Sequence, residues 1–142
     1  MTVERAPYPP VEMGPHRVQR EGPIVHVSIR GNTSLTEMQT LVSVYQATVD
    51  EFGYLLILLD MRASGDLTTP ARKHVTEFVQ AHPTKIASAI YGTTFYLRIT
   101  LELISRSVRV LAHHTPAMAF HATEAEARRW LAAQVPLLHA KG

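Results

Sequence analysis

The stretch Tyr54-Leu55-Leu56-Ile57-Leu58-Leu59-Asp60-Met61-Arg62 decides the fold. From Tyr54 to Leu59 its apolar character is unbroken, the run is too short for a helix of its own, and it ends on a carboxylate. A strand buried on both faces reads this way, because neither side of its pleat meets water. Such strands belong to parallel sheets with helices on their faces.

Working outward, Met61 to Thr68 reads as a polar loop. Thr69-Pro70 then reads as an N-cap with proline at the first helical position. The helix it opens runs to about Ala81, burying Val75, Phe78 and Val79, and His82-Pro83 closes it. Upstream, Ser34-Leu35-Thr36-Glu37 is a capping box. Leu35, Met38, Leu41, Val42, Tyr45, Val49 and Phe52 follow at helical spacing, and Gly53 stops the helix. Before it, His16 to Arg20 and Ile24 to Arg30 flank Glu21-Gly22-Pro23. Ile24, Val25, Val27 and Ile29 are apolar, while His26, Ser28 and Arg30 are polar, so two strands joined by a tight turn are expected.

Downstream, Ile86 to Tyr91 reads as a second buried strand and Phe95 to Leu111 as a long helix after Gly92-Thr93-Thr94. His113 to Pro116 is a loop and Ala117 to His121 a short strand. Thr123-Glu124-Ala125-Glu126 is another capping box, leading a last helix that carries Ala127, Trp130 and Leu131. The order is β-β-α-β-α-β-α-β-α: a single α/β domain with a mixed, mostly parallel sheet of about five strands and about four helices. Residues 1–15 read as a flexible proline-rich arm, 16–135 as the domain, and 136–142 as a frayed tail.

Composition agrees with one globular domain: 46% of the 142 residues are hydrophobic and 18% charged. Cysteine is absent, which removes disulfides and thiolate metal sites and fits a reducing cytoplasm. The net charge is only +2 and the basic residues are scattered, so no nucleic-acid partner is expected. Nothing at the start resembles a signal peptide, and no apolar run approaches the ~20 residues of a membrane helix. A cytoplasmic location is the expectation.

The opening hairpin into Gly31, the strand Leu55 to Leu59 ending in Asp60-Met61-Arg62, and the closing Ala119-Phe120-His121-Ala122-Thr123-Glu124-Ala125-Glu126-Ala127 occur in a definite order, with Trp130-Leu131 after them. In that order they resemble the STAS family, specifically its SpoIIAA-like branch, over about residues 16–133. The resemblance implies a non-catalytic domain that binds a partner. Members include anti-anti-sigma factors, which bind a kinase-type anti-sigma factor, and modules that hold a nucleotide or a small apolar ligand. In the anti-anti-sigma members a serine or threonine is phosphorylated where the helix after the central strand begins. Thr68 and Thr69 occupy that place here, with Ser64 earlier in the segment. The family's Asp-Ser-Ser-Gly-like segment is replaced by Leu67-Thr68-Thr69-Pro70.

Two candidate surfaces emerge. In parallel α/β sheets, ligands and partners collect at the carboxyl ends of the strands. Asp60, Arg62, Ser64, Asp66, Thr68 and Thr69 lie there and form the regulatory or partner-binding set. Its plain alternative is that Asp60 bonds to nearby backbone and Thr69 only caps a helix. The second set is Phe95, Tyr96, Arg98 and Ile99; with Ile99 and Leu103 off its main stripe, the long helix reads as apolar on two sides. A small apolar or nucleotide ligand, or a homodimer face, would use it, and a widely buried helix is its plain alternative. The eight histidines, including His113-His114 and the helical His74 and His82, read as exposed or helix-terminal residues rather than a zinc site. No Gly-x-Ser-x-Gly, P-loop or dinucleotide motif occurs, so neither an enzyme nor a cofactor is expected.

Overall fold

A computed structural model describes residues 8–82, 84–93, 98–99, 102–103, 106 and 117–140. Its strands are β1 (Val11–Met13), β2 (His16–Glu21), β3 (Ile24–Thr33), β4 (Leu55–Leu67), β5 (Ile86–Tyr91) and β6 (Ala117–His121). Its helices are α1 (Leu35–Phe52), α2 (Thr69–Ala81) and α3 (Glu124–Ala140). One six-stranded sheet runs in chain order from β1 to β6. β1, β2 and β3 pair antiparallel, and β3 to β6 pair parallel. The sheet and its covering helices make a mixed α/β single domain.

The alternation in β3 and the double burial of β4 and β5 sort the side chains onto two faces. Val25, Val27, Ile29, Leu55, Ile57, Met61, Ile86 and Ile90 form a core with Met38, Leu41 and Tyr45 of α1 and Ala71 and Phe78 of α2. Crossovers of one hand that step the same way across a sheet put their helices on one face, and α1 and α2 share this one. Tyr45 and Phe78 meet there with ring centroids 5.8 Å apart. On the other face Leu56, Leu58, Ala87, Ala89 and Tyr91 pack under Ala127, Leu131 and Leu138 of α3. The alanines of β5 let that helix lie close.

The α1 capping box is present in both directions, and Gly53 ends the helix in the left-handed region at φ 81°. Glu37 of the box does a second job. His16 is buried and its Nδ1 accepts from the Arg30 amide at 2.9 Å, so its Nε2–H donates to Glu37 Oε1 at 3.3 Å. That bond ties β2 to the start of α1. The Ser34 amide chiefly, and then this bond, hold the Glu37 carboxyl below its ordinary range.

Several expectations are corrected. The sheet has six strands rather than five, because Val11–Met13, inside the stretch read as an arm, pairs with β2 and buries Met13 in the first core. Residues 61–67, read as a loop, continue β4. They pair with Arg30 to Thr33 of β3 across two register irregularities, so the two strands project together as a ribbon. The cap of α2 is Thr68 rather than Thr69, with its hydroxyl accepting from the Ala71 amide at 3.3 Å. The last helix does not end at Pro136 but continues to Ala140, and burial of Leu138 in the second core offsets the missing proline N–H. Among the described residues there are three such helices rather than four. Of the expected helix from Phe95 to Leu111, positions 98, 99, 102, 103 and 106 are helical and exposed. Phe95, Tyr96 and the His113 to Pro116 loop lie outside the described residues.

Candidate functional site

Register places one polar row across the sheet: Glu12, Arg17, Ser28, Asp60, Tyr91 and His121 are successive partners on β1 to β6. Asp60 and Tyr91 follow Leu58 and Ala89 by two residues, so the row faces the α3 side. It crosses near the carboxyl ends of β5 and β6 and where β4 leaves its apolar run.

Asp60 is buried and fully engaged. Its Oδ1 accepts from the Arg62 amide at 3.1 Å and from Arg62 Nε at 2.9 Å, and its Oδ2 accepts from Arg62 Nη2 at 2.7 Å and from Ser28 Oγ at 3.4 Å. The Arg62 fork, above all, holds the Asp60 carboxyl below the usual range, against the opposing effect of burial. The Arg62 guanidinium lies 5.7 Å from the centre of the Tyr91 ring, yet its side chain stays 70% exposed. Gly92 makes this placement feasible: it sits at φ +75°, and a side chain there would run into Arg62 Cγ.

Behind Tyr91 the hydrogen bonds close into a ring that joins α3 to the sheet. Arg128 has donors only, so His26 Nδ1 must accept from its Nη2 at 3.4 Å. His26 Nε2–H then donates to the Tyr91 oxygen at 2.8 Å, and Tyr91 donates to Glu124 Oε1 at 3.3 Å. Arg128 Nε completes the circuit to Glu124 Oε2 at 2.8 Å. The rest of the Arg128 fork holds Glu21 of β2 at 3.0 and 3.1 Å. Burial first, and then the charges of Asp60 and Glu124, push the Tyr91 hydroxyl up to about 12. The Arg128 bond chiefly draws Glu124 below its ordinary value. Both nitrogens of His26 are committed, and the Ser28 hydroxyl points its proton at a carboxylate. This is a structural joint, and it does not arm Ser28 as a nucleophile.

The remaining members of the expected set follow the ribbon away from this joint. Ser64 Oγ donates to the Gly65 carbonyl at 3.1 Å, and the Asp66 amide donates to Asn32 Oδ1 at 2.7 Å. Asp66, Thr68 and Thr69 are exposed. Asp60 and Arg62 are thus directly joined, and beyond the half-buried Ser64 the residues Asp66, Thr68 and Thr69 continue an exposed strip from Arg62. In the other set, Arg98 bonds Glu102 at 3.3 Å and covers the Phe120 ring at 4.7 Å, and Ile99 is exposed. His26, Ser28, Tyr91, Glu21, Glu124 and Arg128 escaped the sequence reading. The signal for the first two was there, in the polar half of the alternation along residues 24–30.

Among the described residues no group of three or more histidines, aspartates or glutamates could hold a metal, and no helix is long and apolar enough to cross a membrane. The strip also carries a measurable structural role. Thr68→Ala, which removes the α2 cap, is expected to lower stability by about 1 kcal/mol in denaturant unfolding. Thr69→Ala should stay within about 0.5 kcal/mol of the parent, as an exposed position does. Equal losses in the two would place the cap elsewhere.

No protein-family model and no curated protein matches the chain. Solved structures do, among them two that each cover 82% of this chain. One is a protein of the DUF3478 family with a SpoIIAA-like fold from Shewanella loihica, 14% identical, covering 82% of this chain and 91% of its own, with a TM-score of 0.57. The other is the anti-sigma factor antagonist SpoIIAA in its unphosphorylated form, 10% identical, covering 82% of this chain and 97% of its own, with a TM-score of 0.56. The hairpin, the parallel strands and the helices packed on both faces therefore make up a SpoIIAA-like fold.

Proposed function

We propose that this chain is a non-enzymatic regulatory module that acts in the cytoplasm by docking on a signalling protein, of the kinase type, through the outer end of β4 and the first turn of α2. The observation that carries this reading is the exposed strip Arg62, Asp66, Thr68 and Thr69, held in place by the pairing of β4 with β3 out to Thr33. A rigid strand end leading into a helix start makes a defined docking edge. Similarity of fold to an anti-sigma factor antagonist supports the class of activity. Within the strip, Thr69 is the better acceptor for a regulatory phosphate, because the Thr68 hydroxyl is occupied as the cap. A phosphate there would bring about −2 charge to the middle of the docking edge.

The test begins with capture of the partner from lysate on the purified chain and its identification by mass spectrometry. Affinity is then measured for the parent, Thr69→Ala and Thr69→Glu. Thr69→Glu is expected to weaken binding at least about tenfold, equivalent to about 1.4 kcal/mol, while Thr69→Ala binds like the parent. Equal affinity for all three would remove the docking edge from this strip.

A further inference from the structure

A second site takes in the β2 and β3 members of the polar row and shares no residue with the docking strip. Between the β2–β3 face and the start of α3 is a cleft of about 390 Å³ lined by Arg17, Gln19, Glu21, His26, Ser28, Glu124 and Arg128. That size falls in the range of roughly 300–1,000 Å³ typical of small-molecule sites. α3 covers β4 to β6 and leaves this part of the sheet open. The polar half of the β2 alternation fills the opening.

The hydrogen-bonding capacity left over in this cleft is one-sided. Both Glu21 oxygens accept from the Arg128 fork, and the Glu124 oxygens accept from Arg128 and Tyr91. His26 is closed by Arg128 and Tyr91, and the Ser28 proton goes to Asp60. What remains uncommitted is the guanidinium of Arg17, which makes no ion pair among the described residues, and the amide of Gln19. Register sets Arg17 beside Ser28 and Gln19 beside His26, in adjacent rows of the same face. The first turn of α3, at the cleft's edge, adds the positive end of a helix dipole. The carboxylate oxygens are all held from within by Arg128 and Tyr91, Arg17 balances the one negative charge left over, and the free donors line the cleft.

We infer that this cleft binds a small ligand through an oxyanion, a carboxylate or a phosphate group, with Arg17 as the anchoring cation and Gln19 as a second donor. The planar fork of Arg17 suits either group in a two-point contact. The Arg128 ring serves as the rigid back wall, and its own cation is unavailable to the ligand.

The experiment titrates the full chain with sodium phosphate and, separately, with sodium acetate at constant ionic strength, followed by amide NMR. Lys73→Gln, on the opposite face in α2, matches the charge lost in Arg17→Gln. The expected result is saturable shifts confined to residues 17–19 and 26–28, at least tenfold weaker in Arg17→Gln, weaker in Gln19→Ala, and unchanged in Lys73→Gln. Saturation by phosphate alone would identify a phosphoryl ligand, and saturation by acetate alone a carboxylate. Shifts that rise linearly without saturation, or that survive in Arg17→Gln, would overturn the inference.

Discussion

Arg128→Ala is expected to destabilise the fold by about 2–3 kcal/mol, a fall in melting temperature on the order of 10 °C for a chain of this size. One side chain supplies donors to Glu124, to both oxygens of Glu21 and to His26, and so fastens α3 to β2 and β3 across more than a hundred residues of chain. Its removal leaves Glu21 and Glu124 facing the cleft without the fork that held them, and only Arg17 there to offset two carboxylates. Breaking a fully buried pair this way costs about 3–5 kcal/mol. Arg128 is 34% exposed in its side chain, so water recovers part of that, and the expectation is scaled down accordingly. Arg128→Lys should restore only a minor share, since an ammonium cannot form the fork that Glu21 accepts. Trp130, the single tryptophan, lies on the same helix and packs against His121 with ring centroids 5.8 Å apart. Its fluorescence therefore reports the joint in the same denaturant titration. A loss below about 0.5 kcal/mol would mean that the second core alone seats α3.

The contrast between what periodicity shows and what it hides is clear at this joint. Apolar runs and alternation are local, so the central strands, the two faces of β3 and the capping box at Ser34 were all legible. Glu21 and Arg128 are separated by most of the chain, and nothing local in either marks it as a partner of the other. Tyr91 closes an apolar strand and reads as one more hydrophobic residue until the register sets it beside Asp60. The segment 61–67 was misread for a different reason. Ser64, Gly65 and Asp66 have poor strand propensity, and only pairing with Arg30 to Thr33, helped by the Asn32 side chain, makes them a strand. The arrangement of the α2 start was legible to within one residue, and that residue decides which threonine is free.

Acid should unfold this chain earlier and more steeply than its composition suggests. Asp60, Glu124 and Glu37 are all held below their ordinary values, Asp60 and Glu124 chiefly by arginine hydrogen bonds and Glu37 chiefly by the Ser34 amide. A carboxylate depressed in the folded state adds stability that is complete above its unfolded value, 3.8 for Asp60 and 4.5 for the glutamates. That stability is lost as pH falls from there through the folded values. The melting temperature is therefore expected to hold nearly level from pH 6.5 to about 5 and then to fall by roughly 5–10 °C toward pH 3. Asp60 is the most informative of the three, because it is the buried one and has the Arg62 fork to itself. Asp60→Asn should melt lower than the parent at pH 6.5, since its amide can no longer accept both arms of the fork. It should also lose part of the acid limb, so that the two curves converge near pH 3. Parallel curves, with a constant offset down to pH 3, would show that Asp60 stabilises the fold through packing and not through its charge.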